Sequence, residues 1–261
     1  MILRRLAAAF RKQDWFTVAV EIMIVVLGVF FGIQVANWND AQKEQTLAED
    51  YTQRLRIDLR AELEYAEALI AYYESTLAAG EVAYAGLVQP AQNLDATILI
   101  NAYRASQFNF YERRRSTFDE IVNAGKLNLI QDPKLRDTAI LIYATQMFDV
   151  VQGEGQTARF RELFRMTVEP ALQHELGRQC GDWYLESLHG AAGVLTLDYP
   201  CEITGTAADI AAAVSSLRED DNIIRALRLR NVQVAGRIGD LRLTLNTLGL
   251  TDLFAEQEES K

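Results

Sequence analysis

Few residues in this chain have the types and spacing that chemistry requires. The two histidines, His174 and His189, come without a His-Glu-x-x-His or Glu-x-x-His spacing, so neither completes a zinc or di-metal ligand set. Both read as solvated polar residues. Gly153-Glu154-Gly155 lacks the further glycine, the lysine and the preceding strand of a phosphate-binding loop, and it reads as a helix break. There is no Gly-x-Ser-x-Gly elbow, and neither Cys180 nor Cys201 sits beside a histidine in a recognisable nucleophile pattern. The expectation is no catalytic residue, no metal and no cofactor.

The charge clusters have blander readings than chemistry. Arg113-Arg114-Arg115 precedes a helix start and reads as a solvated loop, with an anionic partner as the alternative. Arg225, Arg228 and Arg230 with Arg237 and Arg242 read as the exposed face of the last helix. Glu62, Glu64 and Glu67 read as a charged helix face. Phe108, Phe110 and Tyr111 with Phe118 read as core, with a pocket wall as the alternative.

One carboxylate stands apart: Glu21 opens the run EIMIVVLGVFFGIQVANWN. From Phe16 to Ala36 only Thr17, Glu21 and Gln34 are polar apart from glycine, and at ~1.5 Å per residue such a helix covers the ~30 Å hydrocarbon core of a bilayer. Trp15 and Trp38 bracket it as interface anchors. The apolar stretch is long for a signal peptide and is followed by Asn37-Trp38-Asn39 in place of an Ala-x-Ala site, so an uncleaved membrane span is expected. At about 100° per residue, Glu21, Gly28, Gly32 and Asn39 fall in one narrow stripe. Gly28-x-x-x-Gly32 is the spacing that lets two helices approach closely in lipid, and a partner helix there would shield the carboxyl group. The alternative is a Glu21 side chain reaching towards the nearer interface.

The flanks set the orientation. Arg4, Arg5, Arg11 and Lys12 against Asp14 give residues 1–14 a charge of +3, and the span carries −1, so the net −10 leaves −12 for residues 39–261. The positive-inside rule then places residues 1–14 in the cytoplasm and everything after the span outside, which in a bacterium is the periplasm. An outer domain that acidic repels phosphate backbones, so nucleic acid is not an expected partner. Cys180 and Cys201, the only cysteines, lie in the part placed in an oxidising compartment and are expected to form a disulfide, with two buried thiols as the alternative.

Residues Glu21 to Val29 and Gln34 to Asp40 resemble the start of a family of uncharacterised bacterial single-span membrane proteins. Its pattern is a basic N-terminus, a Gly-Glu-Ile aliphatic run with glycine, and Asn-Asn-Trp-Asn before a charged helix. Ser116 to Glu120 and Gly125 to Ile130 resemble that family's internal Ser-x-Tyr-Glu-x-Leu and Ser-Gly-x-Leu-x-Leu-Ile segments. Together these matches cover about a quarter of the chain. Val20 and Ala36 depart from the pattern, and the second half finds no counterpart in it. The resemblance implies topology and supplies no reaction.

These residues need elements to position them. Leu55, Leu59, Leu63, Ala66, Ile70, Tyr73 and Leu77 form a heptad-spaced seam, predicting that the membrane helix (15–38) continues as a stalk over 39–87. Gln89 to Asn93 breaks it. Central helices are expected over 94–176: one over roughly 94–111, a short one opened by a Ser116/Asp119 capping box and ended at Gly125, one from Asp132-Pro133 to about Gln152, one to about Val168, and one opened by Pro170. Residues 177–205 form the cysteine loop, with a short strand at 194–197. C-terminal helices fill 206–249, opened by Thr206 or Asp209 and by Asp221, and 254–261 is an acidic tail. The class is all-α: one N-terminal transmembrane helix continuing into a stalk and a periplasmic helical bundle. The expected function is non-enzymatic. The outer domain would mediate assembly in the inner membrane, through the lipid bilayer and through itself or another membrane protein at the Gly28/Gly32 face; the alternative is a ligand-binding or sensor-like module acting through a membrane partner.

Overall fold

A computed structural model describes residues 15–89, 95–109, 113–185 and 194–258, without the side chains of Trp15, Thr17 and the residues beyond Ala255. The protein is all-α. Helix α1 runs Trp15–Val88 without a break, as a segment of 74 residues with no internal proline should. The chain divides into two compact units, residues up to Thr52 and residues from Gln53 on. In the first, α1 is long and apolar enough to cross a membrane, and every residue from Ala19 to Thr46 is exposed.

In the second unit the seam is buried. Leu55, Leu59, Leu63, Ala66, Ile70 and Tyr73 all lie under 10% exposed, and a buried leucine of this kind stabilises by roughly 1.5–3 kcal/mol. Gln53–Val88 is therefore a core element of the bundle, and only the stretch before it can be called a stalk. Around it follow α2 (Asp95–Ala105), α3 (Ser116–Asn123), α4 (Pro133–Ala144), α5 (Met147–Gln156), α6 (Arg159–Thr167) and α7 (Pro170–Cys180). A two-stranded antiparallel ribbon comes next, β1 (Trp183–Leu185) on β2 (Val194–Thr196), with Tyr184 opposite Leu195. Helices α8 (Ala207–Glu219), α9 (Asp221–Thr247) and α10 (Leu250–Glu258) close the chain. Ala83 and Leu87 of α1 share one apolar cluster with Leu99 of α2, Phe164 of α6, Leu176 of α7, Val214 of α8 and Leu227 of α9.

The helix starts follow their caps. Asp132 accepts from the Leu135 N–H ahead of Pro133, and Thr206 accepts from the Asp209 N–H. Asp220, not Asp221, caps α9 by accepting from the Asn222 N–H. Gly125, at φ 66°, ends α3 in a Schellman turn: its N–H reaches Val122 O and the Lys126 N–H reaches Ile121 O. The capping box expected at Ser116 is not formed, because Asp119 is held by the Arg115 guanidinium at 2.9 Å.

Several boundaries differ from the sequence reading for identifiable reasons. Helix α2 stops at Ala105, where the carbonyls at and just past its end are taken by other groups: Ser106 Oγ donates to Tyr103 O, Arg161 to Ser106 O, and Arg230 to Ala105 O and Gln107 O. The helix expected over 133–152 is split at Thr145, whose hydroxyl accepts from the Met147 N–H while Arg113 occupies the carbonyls of Ile142 and Thr145. Gly153 and Gly155 lie inside α5 and break nothing; a methyl on Gly155 would stand 2.6 Å from the Phe108 Cβ, so the glycine serves a close approach. Residues 254–258 are helix and not tail, because Leu250, Leu253 and Phe254 form a buried apolar face over which Arg60 stacks at 4.4 Å. The break expected at 90–93 and the basic segment 1–14 lie outside the described residues.

Candidate functional site

Three places hold the residues singled out above. The first is the apolar part of α1. Continuous helix puts Glu21, Gly28, Gly32 and Asn39 on one face, and a methyl built on Gly28 or Gly32 would meet nothing within 4 Å. That face is bare, as are its neighbours: Val25 is 64% exposed and Trp38 71%. The Trp15 side chain is not among those described.

The second place is an ionic centre that the sequence reading assigned to the surface. Glu62 on α1 is 1% exposed. One carboxylate oxygen accepts from Arg113 Nε at 3.2 Å, and the other from the Arg114 backbone N–H at 2.9 Å. Arg113 also donates to Ile142 O (2.7 Å) and Thr145 O (3.2 Å), and its guanidinium lies over the rings of Tyr143 and Phe148. The Tyr143 hydroxyl donates to Arg114 O, and its ring stacks on Phe118. Burial and the nearby Glu62 push the phenol well above its ordinary range. Arg113 and Glu62 are thus neither loop nor surface. They join α1 to the α2–α3 connection and to the α4–α5 break, a pairing between residues 51 apart that no local pattern announces.

Arg230 is buried likewise at 4% exposed, beside the Tyr73 ring, where it collects the carbonyls at the end of α2. Burial pulls its pKa down, a shift opposed by the tyrosines it faces. Arg225 and Arg228 are exposed as expected. Arg237 grips Glu154 through two bonds of 2.6 and 2.7 Å, and Arg242 pairs with Glu74. Phe110 and Tyr111 lie outside the described residues.

The third place is the cysteine segment. Cys180 and Cys201 form a disulfide, with Cα atoms 5.3 Å apart. The same segment is tied down by Tyr72, which donates to Asp182 at 2.7 Å, and by Arg104, which donates to Cys180 O and Tyr199 O; the Tyr199 hydroxyl donates to Gly181 O. Beside it opens a cleft of about 800 Å³ whose walls include Trp183, Tyr199, Asp198 and Glu202. His174 is exposed, His189 is outside the described residues, and no group of three His, Cys, Asp or Glu among the described residues could hold a metal ion.

Cys201→Ser is expected to lower stability by about 3 kcal/mol, the loop-closure value for a bridge of this span. Thermal melts of the oxidised protein and of the variant check this. A loss below about 1 kcal/mol would mean that the Tyr72, Arg104 and Tyr199 bonds hold the segment alone.

Comparison with protein families, with curated proteins and with solved structures found no match for this chain.

Proposed function

We propose that this chain is a non-enzymatic, single-pass inner-membrane protein whose periplasmic helical domain mediates assembly, with copies of itself or as an accessory subunit of a larger membrane complex. The observation that carries the reading is the uncovered apolar part of α1, on which Glu21, Gly28, Gly32 and Asn39 share one face and both glycines leave room for a neighbour. A carboxyl group in lipid is stabilised by a partner helix, and glycine at this spacing admits one. The basic residues before the span favour a cytoplasmic N-terminus, and the Cys180–Cys201 disulfide suits an oxidising outer compartment.

The test is to replace Gly28 and Gly32 together with leucine and to measure the mass of the particle extracted in mild detergent. The expected result is loss of at least one 29.4 kDa protomer or of a companion polypeptide. An unchanged particle overturns the reading. The second reading, a ligand-binding module acting through a membrane partner, draws on the open clefts of the outer unit.

A further inference from the structure

Asn109 is 2% exposed, and neither its side-chain oxygen nor its side-chain nitrogen has a hydrogen-bond partner. A buried amide keeps at least one partner, protein or ordered water, in nearly all native structures, so one with no protein partner marks a place for a water or a ligand group. The amide borders a small chamber of about 10 Å³, walled also by Tyr65, Leu69, Arg113, Phe148, Asp149 and Gln152. Arg113 and Asp149 are walls, too, of a wider open cleft of about 570 Å³, to which Arg115, Tyr143, Thr145 and Gln146 contribute. That volume is within the range of small-molecule sites.

The charges of the walls select the guest. Arg113 pairs with Glu62, and Arg115 with Asp119; Asp149, the carboxylate of the two walls, has no ion pair or hydrogen bond among the described residues and feels Arg115 only through the field. Asp149 offers an ammonium group a place in this cleft. The guanidiniums are not saturated: Arg113 donates three N–H bonds to protein and Arg115 spends its bonds on a single carboxylate, so each of these five-donor groups keeps N–H for an acceptor. An ammonium site, spare guanidinium donors and an orphaned amide suit a molecule that is cation, acceptor and hydrogen-bonding chain together.

We propose that the chamber at Asn109 and the cleft bounded by Arg113, Arg115 and Asp149 form one binding site for a small zwitterion of the α-amino-acid class. The ammonium group lies on Asp149, the carboxylate takes the spare N–H groups of Arg113 and Arg115, and a polar side chain points at Asn109.

The experiment melts the full-length protein in mild detergent with glycine, serine, asparagine, glutamine, lysine and glutamate, each to about 10 mM, against methylamine and acetate as single-charge controls. At least one amino acid is expected to raise Tm with concentration where both controls do not. Asp149→Asn, at an exposed position that leaves the core intact, is expected to weaken that amino acid at least about tenfold, the size of a lost charge-assisted contact. Asn109→Leu, if it folds, is expected to reduce the preference for polar side chains. No shift with any amino acid, a shift equalled by methylamine or acetate, or one that survives Asp149→Asn overturns the proposal. So does a crystal structure grown with the amino acids that shows only a single water on Asn109.

Discussion

Arg113→Met is expected to destabilise the fold by about 3–5 kcal/mol, the loss typical when a buried charge is stripped of its partner. Glu62, at 1% exposed, would lose its guanidinium partner, and the carbonyls of Ile142 and Thr145 would lose their donor as well. The methionine can refill the space over Tyr143 and Phe148, so the penalty comes from charge and hydrogen bonding more than from a cavity. The pairwise part is isolated by adding Glu62→Leu. With both charges gone, most of the loss should return, because a buried ion pair replaced by apolar groups of similar volume is close to neutral. Urea unfolding of the full-length protein, followed by helical circular dichroism, measures both. A single-variant loss under about 1 kcal/mol would mean that Glu62 is solvated after all.

The sequence exposes some of this architecture and hides the rest along a clear line. Patterns local in the chain survive into the structure. The seam from Leu55 to Tyr73 is buried, Asp132-Pro133 and Thr206 start helices, and Gly125 ends one. Each rests on contacts within one or two turns. What a single helix cannot reveal is which of its polar faces another element will cover. Glu62 and Arg230 sit among exposed charges in sequence, and nothing in their spacing separates them from Glu67 or Arg228. They are buried because Arg113 and the α2 terminus arrive from far along the chain. Gly155 shows the same limit: a glycine that looks like a breaker is a contact surface for Phe108.

The candidate sites divide in the same way. The Glu21, Gly28, Gly32 and Asn39 stripe needs only helical geometry, so it is fully legible. The Cys180–Cys201 bridge matches the expectation drawn from a chain with two cysteines. Asn109 is not legible, since it falls inside the helix expected over roughly 94–111 as one polar residue between aromatics. Its singular property, an amide buried without a partner, exists only once α1, α5 and the α2–α3 connection meet.

Helices α1 and α4 bury four phenols, and this predicts steep alkaline unfolding. Tyr65, Tyr72, Tyr73 and Tyr143 are each 5% exposed or less, and in all four burial is the foremost cause of a raised pKa. Asp182, which accepts the Tyr72 hydrogen bond, adds to the shift there; at Tyr73 the adjacent Arg230 opposes it. In the unfolded chain each phenol loses its proton near the ordinary value of 10.0, while in the fold it keeps it. Below pH 10 both states are protonated and the contribution of these residues is complete. Above it the folded state binds more protons, so stability falls as pH rises towards the folded-state values. Each fully buried tyrosine adds at most about 1.4 kcal/mol per pH unit to that slope, and the four together at most about 5.5 kcal/mol per pH unit. Urea unfolding from about pH 9 to about pH 11 should show the decline beginning near pH 10, with Tyr65→Phe removing about a quarter of it. Tyrosinate absorbance at the same pH values tells the causes apart. If these phenols ionise before the helical signal is lost, water reaches them in the folded bundle, and the burial of Tyr65, Tyr72, Tyr73 and Tyr143 is not maintained in solution.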